Sequence, residues 1–481
     1  MHKTLLIEVL ATFDTPMLRK WHQYTTSNYS LSHAPTRELA AYCYQLAPDW
    51  QHAGWLKKTA WQKLYPGTPY KELSFNNYIS DLLQATFQFI VTEKCLLHPR
   101  LYHTLLSEYL VEKNLPKAAH RSLQKWLSTD SHHLDSSEQL LQQIAQYQTT
   151  DLLELKQTQR HFTPTLQLQS TSLDHYYLLQ QLKLYCEMLN RSHIVQGSYA
   201  PLHLKYLLNK YEANEQQEQD QPAIAIYYHL AQLLQGNDAL SQLITLEQLI
   251  PAHPLAMSMQ EKRTLFNYLL NYCVQRINQG DASFYLRVFR LYQELIAESL
   301  LLEDGQITQW AYTNIITTAS RLSQWDWALD FLETYKAHLP KAALVNAYHY
   351  NLAALRYEQK LYKEALAGLN KVEFTDAFYQ LAAKTIQLKI YYELQENDAF
   401  HALLAASKQF IMRNKQISSA KKNAYQSFLK LVRKLFLLKT QRDYWPTAKW
   451  KNQHALLHAE LSTTTTNINH RDWLLEALEA L

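Results

Sequence analysis

The chain has 481 residues, a formal net charge of +4, 47% hydrophobic residues and 19% charged residues, which is ample for a packed core and not the composition of a disordered chain. Only 7 residues are glycine, against average usage of roughly 7% of positions, and neither GxGxxG nor a GxxxxGKS/T loop occurs, so the usual nucleotide folds are not expected. No stretch reaches 18 uncharged apolar residues, which leaves no transmembrane candidate, and the four cysteines (Cys43, Cys95, Cys186 and Cys273) form no CxxC and read as small core residues in a reducing compartment.

In chain order, the N-terminal run "MHKTLLIEVLATFD" is interrupted by Glu8 and is followed by no small-residue cleavage site, so a cytoplasmic protein is expected. Residues 77–95 predict a helix with Ile79, Leu82, Leu83, Phe87 and Ile90 on one stripe. The histidines of "SHH" at 131–133 read as a loop before a helix cap in "LDSSEQLL". Residues 130–170 and 212–221 are polar and read as loops or exposed helix ends. From 307 onward the pattern is regular. Helix pairs are predicted at about 307–322 with 325–339, 342–358 with 361–372, and 375–394 with 396–414. Ala328, Ala365 and Ala399 fall at matching places, 37 and 34 residues apart, a period typical of helix-turn-helix arrays. Trp325 and Trp327, two positions apart, point about 200° away from each other on a helix. They read as packing residues rather than as two walls of a ligand cage, one in the core and the other at a neighbouring repeat or the surface.

A further helix is predicted near 418–440. Tyr425, Phe428, Leu429, Val432, Leu435 and Phe436 share one face, and Lys430, Arg433 and Lys434 the other, with Leu437 among them. "HALLH" sets His454 and His458 at i, i+4, but Ala455 stands where a metalloprotease needs glutamate, so no metal is expected. Residues 462–469 ("STTTTNIN") read as a linker to a short amphipathic helix, "RDWLLEALEAL", which either caps the array or docks as a loose tail.

The unit "NLAALRYEQKLYKEALAGL" resembles a tetratricopeptide repeat (TPR). Small Ala353 and Ala365 are twelve residues apart, Tyr357 precedes the turn, Tyr362 follows it, and Leu369 comes four after Ala365. The 320–340 stretch fits the same frame through Ala328, Trp325 and Pro340, and "LLSEYLVEKNLPKAAHRSLQKW" fits through Ser107, Ala119 and Leu123. Departures are Ile316 in place of a small residue, which implies a splayed pair, the missing turn glycine, and a one-residue slip that sets Phe400 beside Ala399. The layout also resembles irregular helical-repeat proteins of unknown function from Bacteroidota, a resemblance that carries no activity. Together these imply an all-α fold, a solenoid of antiparallel helix pairs that is TPR-like in its second half. The expected domains are an N-terminal helical region with one TPR-like unit (1–130), an irregular helical middle (131–256), TPR-like repeats with basic C-terminal helices (257–461), and the linker with its terminal helix (462–481).

The function expected from this layout is a non-catalytic scaffold or adaptor that holds a partner peptide or helix in a concave surface. Residues 408–452 hold 12 Lys and Arg but one acid, Asp443, a net +11 that leaves −7 for the rest of the chain. Lys430, Arg433, Lys434, Arg442, Lys449 and Lys451 are therefore candidates for an anionic partner, and nucleic acid is the alternative to a protein. Tyr444, Trp445 and Trp450 lie alongside and suit base stacking. No GxSxG elbow or activated cysteine is present, so neither an enzyme nor a cofactor is expected, although a site assembled from distant residues is invisible in sequence.

Overall fold

The structure, a computed structural model, describes every residue except 2, 129–133, 156–161, 195–198, 200–203, 219–220, 373–376, 415–418 and 464–467. The "SHH" histidines and the centre of the 462–469 stretch lie outside the described residues. Among those described, the fold is all-α, with 23 α-helices, two short 3-10 turns and no strand. Among the described residues no helix is long and apolar enough to cross a membrane. The chain packs as two units, Met1–Leu182 and Lys183–Leu481, with the division inside a helix.

Unit 1 contains α1 (Leu5–Leu10), α2 (Thr15–Thr25), α3 (Ala34–Leu46), α4 (Lys57–Leu64), α5 (Glu72–Leu97), α6 (Pro99–Glu112), α7 (Pro116–Leu127), α8 (Ser136–Leu155) and the first part of α9 (Thr165–Ile194). Its N-terminal core gathers Trp21, Trp55, Trp61, Phe75 and Phe89. The Trp21 indole N–H donates to Thr86 Oγ1 at 2.9 Å, giving a buried polar tip its partner. The inward face of α5 carries Ile79, Leu82, Thr86 and Phe89, whereas Phe87 is exposed. The stripe expected through Phe87 is thus rotated, because α5 packs against α2 and α3 and a run this apolar offers more than one face to bury. Residues 136–155, read from their polarity as loop or exposed helix end, form α8. Asp135 Oδ1 accepts from the Ser137 backbone N–H at 3.0 Å at its start, and Leu140, Ile144 and Leu153 supply the buried side.

Unit 2 holds the rest of α9, then α10 (Leu204–Glu218), α11 (Pro222–Gln235), α12 (Ala239–Ala252), α13 (Met259–Asn278), α14 (Phe284–Ala297), α15 (Gln309–Arg321), α16 (Trp325–Tyr335), α17 (Lys341–Glu358), α18 (Tyr362–Leu369), α19 (Ala377–Leu394), α20 (Asn397–Arg413), α21 (Ser419–Thr440), α22 (Thr447–Thr463) and α23 (Arg471–Glu479). Each helix packs on its successor in the pairs α15/α16, α17/α18 and α19/α20, and first helices also pack on first helices, α15 on α17 and α17 on α19. The three helix pairs predicted from 307 onward are present, with ends shifted by a few residues.

The turns within these pairs share one geometry. Ser323, Lys360 and Gln395 adopt left-handed φ of 57°, 61° and 57°, as does Asn114 between α6 and α7 at 55°. In each, the next residue's N–H returns to a carbonyl five residues back: Gln324 to Ala319, Leu361 to Arg356, Glu396 to Tyr391 and Leu115 to Leu110, at 2.8–3.0 Å. This is the Schellman closure that glycine usually serves. These four turns form it without glycine, and each bears the left-handed strain of an L side chain.

The small positions have direct consequences for packing. Ala353 and Ala365 are fully buried between α17 and α18. Gly368, the one glycine inside an apolar run, sits so close to α17 that a Cβ there would lie 3.1 Å from the Ala353 Cβ. Ala119 and Ala328 are also fully buried, and Ser107 is nearly so. In the α19/α20 pair the buried residue is Phe400, at 0% exposure, while Ala399 is half-buried. Ile316 is buried on α15.

Candidate functional site

The two tryptophans of α16 divide their roles. Trp327 stacks on Phe331 at 5.5 Å and meets Phe289 of α14 edge-on at 4.8 Å. Trp325 is 38% exposed. An aromatic enclosure does form in unit 2, but elsewhere and around a side chain of the protein itself.

Lys389 lies on α19 between Thr385 and Ile386 one turn before and Tyr392 one turn after, on the buried side of the helix. The residue is only 5% exposed. Its ammonium lies 4.9 Å from the Trp473 ring centre and 6.0 Å from that of Tyr357. Rings, which attract a cation through their quadrupole, take the place of a carboxylate partner. Burial brings the Lys389 pKa down to about 7, with repulsion from Arg321 adding to the effect and Glu358 and Glu476 opposing it through space.

Trp473 belongs to α23, and α23 is the lid of this enclosure. Its Trp473, Leu474, Ala477 and Leu478 are buried. Trp473 meets Tyr392 of α19 edge-on at 5.4 Å and Phe428 of α21 at 6.5 Å. The last turn of a helix leaves carbonyls short of internal donors, and here two accept from side chains outside it, Leu478 O in addition to the Leu481 backbone N–H at 3.2 Å. Tyr392 donates its hydroxyl to Ala477 O at 3.3 Å, and His454 of α22 donates from Nε2 to Leu478 O at 3.1 Å. His454, singled out in sequence for its spacing to His458, thus serves as a cap for α23. Among the described residues no three His, Cys, Asp or Glu side chains gather as metal ligands would.

The opposite flank of α21 carries the basic candidates. Lys430 and Lys434 both reach Glu460 of α22, at 2.9 and 2.5 Å, and these bonds hold the Glu460 carboxyl below its ordinary pKa. Lys439 pairs with Glu393 of α19 at 3.0 Å and sits 4.1 Å over the Tyr392 ring. Arg442 lies over Trp450 at 5.6 Å and Lys449 over Trp445 at 4.4 Å. Arg433 and Lys451 are exposed. Part of the charge of 408–452 is therefore matched by two carboxylates that lie outside that segment in sequence. Between α21 and α22 a cleft of about 400 Å³ is lined by Leu437, Leu438, Trp445, Leu456 and Leu457 and rimmed by the Lys434–Glu460 pair.

In unit 1, Thr104, Ser107, Glu108 and Asp151 are among the residues that line a cleft of about 300 Å³ between α6 and α8.

Sequence reasoning missed Lys389, Arg321, Tyr357, Tyr392 and Trp473 as a group. The readable signal was a lysine at the buried spacing of "TIQLKIYY". What sequence spacing does not reveal is that a helix more than 80 residues later closes over it.

Comparison with known proteins identifies no relative: no protein family, no curated protein and no solved structure matches the chain.

Proposed function

We propose that this protein is a non-catalytic interaction scaffold whose second half is a TPR-like solenoid of antiparallel helix pairs, with a row of first helices that receives a helix of a protein partner. The observation that carries the reading is α23 itself, an amphipathic helix held against side chains of α19, α21 and α22. A surface that already seats one helix through aromatic and aliphatic contacts with carbonyl caps has the chemistry for recognition of a helix in a groove. Matching of Lys430, Lys434 and Lys439 by Glu460 and Glu393 favours a protein partner over nucleic acid, because fewer charges are left for phosphates.

The test is affinity capture on the full chain with and without nuclease, repeated at low and high salt and with a Lys430→Glu, Arg433→Glu, Lys434→Glu variant. A defined protein retained after nuclease and at high salt supports the scaffold. Nucleic acid recovered with wild type, lost with the variant and lost steeply as salt rises refutes it.

A further inference from the structure

We propose that the cleft between α6 and α8 is a binding site for a linear aliphatic diamine or polyamine. The cleft belongs to unit 1, so it is independent of the scaffold reading, which concerns unit 2. Helical spacing builds it. Thr104, Ser107 and Glu108 fall at i, i+3 and i+4 on α6, and Ala145, Thr149 and Leu152 at i, i+4 and i+7 on α8, so each helix turns one face to a shared space of about 300 Å³. A serine or threonine inside a helix often donates to the carbonyl four residues back, and Thr149 does so to Ala145 O at 2.9 Å. Thr104 Oγ1 and Ser107 Oγ do not. Both are buried without a hydrogen-bond partner among the described residues, and Ser107 is only 2% exposed. Orphaned buried hydroxyls are costly for a fold to keep. Two of them, three residues apart and lining one cleft, leave lone pairs for a donor from outside the chain.

Charge sets the chemistry of the ligand. Glu108 and Asp151 line the same cleft, and no lysine, arginine or histidine is among the described residues that do. α8 carries no basic residue. On α6, Arg100 pairs with Glu138 at 2.6 Å, and Lys113, just past its end, lies over the Tyr109 ring at 5.7 Å. The occupant is therefore a cation. A primary ammonium carries three N–H donors and no acceptor, which matches two hydroxyl oxygens and a carboxylate. A metal ion finds too few ligands, because among the described residues no three His, Cys, Asp or Glu side chains gather. A quaternary ammonium is recognised by aromatic rings, and none is among the described residues lining the cleft. Val111, Ala145 and Leu152 supply apolar surface for a methylene stem, and carboxylates on both helices, Glu108 on α6 and Asp151 on α8, suit an amine at each end.

The test is isothermal titration of the full chain at pH 7 and constant ionic strength with putrescine and spermidine. The fully N-methylated bis-quaternary analogue of putrescine, which keeps both charges and has no N–H, is the control. At least one of the two amines is expected to saturate a single site with a Kd below about 1 mM, and the analogue to bind at least about tenfold more weakly. Asp151→Asn, which removes a charge without changing shape, is expected to weaken the amine at least about tenfold, and Ser107→Ala at least about fivefold. Ser107→Ala also gives a reading that a structural role for the hydroxyl would not. Without ligand its urea midpoint should equal or exceed that of wild type, because an orphaned buried hydroxyl is gone, while the shift of the midpoint on adding the amine should shrink. Absence of saturable binding by either amine overturns the proposal and leaves the cleft to solvent. Equal binding of the bis-quaternary analogue, or amine binding unchanged in both variants, reduces the effect to general attraction of cations by acidic surface and overturns it too. A lower midpoint for ligand-free Ser107→Ala gives the hydroxyl a structural role and removes the observation on which the site rests.

Discussion

Replacing Lys389 with methionine tests the reading of the enclosure directly. Methionine keeps an unbranched chain of similar length between Trp473 and Tyr357 and removes the ammonium. Lys389 is 5% exposed and its pKa falls from an ordinary 10.5 to about 7, with burial the largest cause. A folded-state pKa below the unfolded value means that, between pH 7 and 10.5, the unfolded chain binds a proton that the folded chain does not. Stability therefore rises with pH through that window, is level above it, and carries the full penalty below pH 7. At about 1.4 kcal/mol per unit the penalty at neutral pH is about 4–5 kcal/mol. Loss of the cation–ring attraction returns roughly 0.5–2 kcal/mol of this. Lys389→Met is thus expected to stabilise unit 2 by about 2–4 kcal/mol at pH 7, in keeping with the general gain when a buried charge gives way to a packed apolar group. Urea unfolding of both proteins at pH 7 and pH 10 measures it, and the difference between them cancels other titrating groups. The advantage of the variant should shrink toward pH 10. A variant less stable than wild type at pH 7, or one with the same pH response as wild type, would refute the reasoning.

Three further outcomes follow from other parts of unit 2. Replacing the left-handed turn residues with glycine, as Ser323→Gly, Lys360→Gly and Gln395→Gly, should stabilise by about 0.5–1 kcal/mol per turn, read as a higher urea midpoint, because the αL strain of an L side chain exceeds the entropy that glycine loses on folding. Gly368→Leu should destabilise by roughly 1–3 kcal/mol, since even its Cβ would stand 3.1 Å from that of Ala353 and the longer side chain must push α18 off α17. Its unfolding midpoint, compared with that of the exposed Ala367→Leu, checks this. His454→Ala should cost about 0.5–1.5 kcal/mol by removing the side-chain bond to Leu478 O, which then keeps only the Leu481 backbone N–H at 3.2 Å, and hydrogen exchange should place the added opening in α23 and not in α15–α18.

Local sequence determined the helices of this protein and, from 307 to 414, their pairing. Apolar spacing at helical period, prolines at segment edges and small residues twelve apart are properties of neighbours in the chain, and they suffice because each pair closes mostly on itself and on the next. The two faces of α21 were legible for the same reason, since Phe428, Leu429, Val432, Leu435 and Phe436 are buried while Lys430, Arg433 and Lys434 are not. Tertiary structure decided what depends on distant partners. In α5 it chose Phe89 over Phe87 for the core, because a helix apolar on several sides is oriented by what packs on it. It set Glu460 and Glu393 against lysines of the basic segment, which net charge along the chain does not reveal. It also brought Trp473 of α23 over Lys389 of α19, where a lysine that spacing assigns to the buried side, and that a flexible stem ordinarily lets escape to water, is covered by the C-terminal helix.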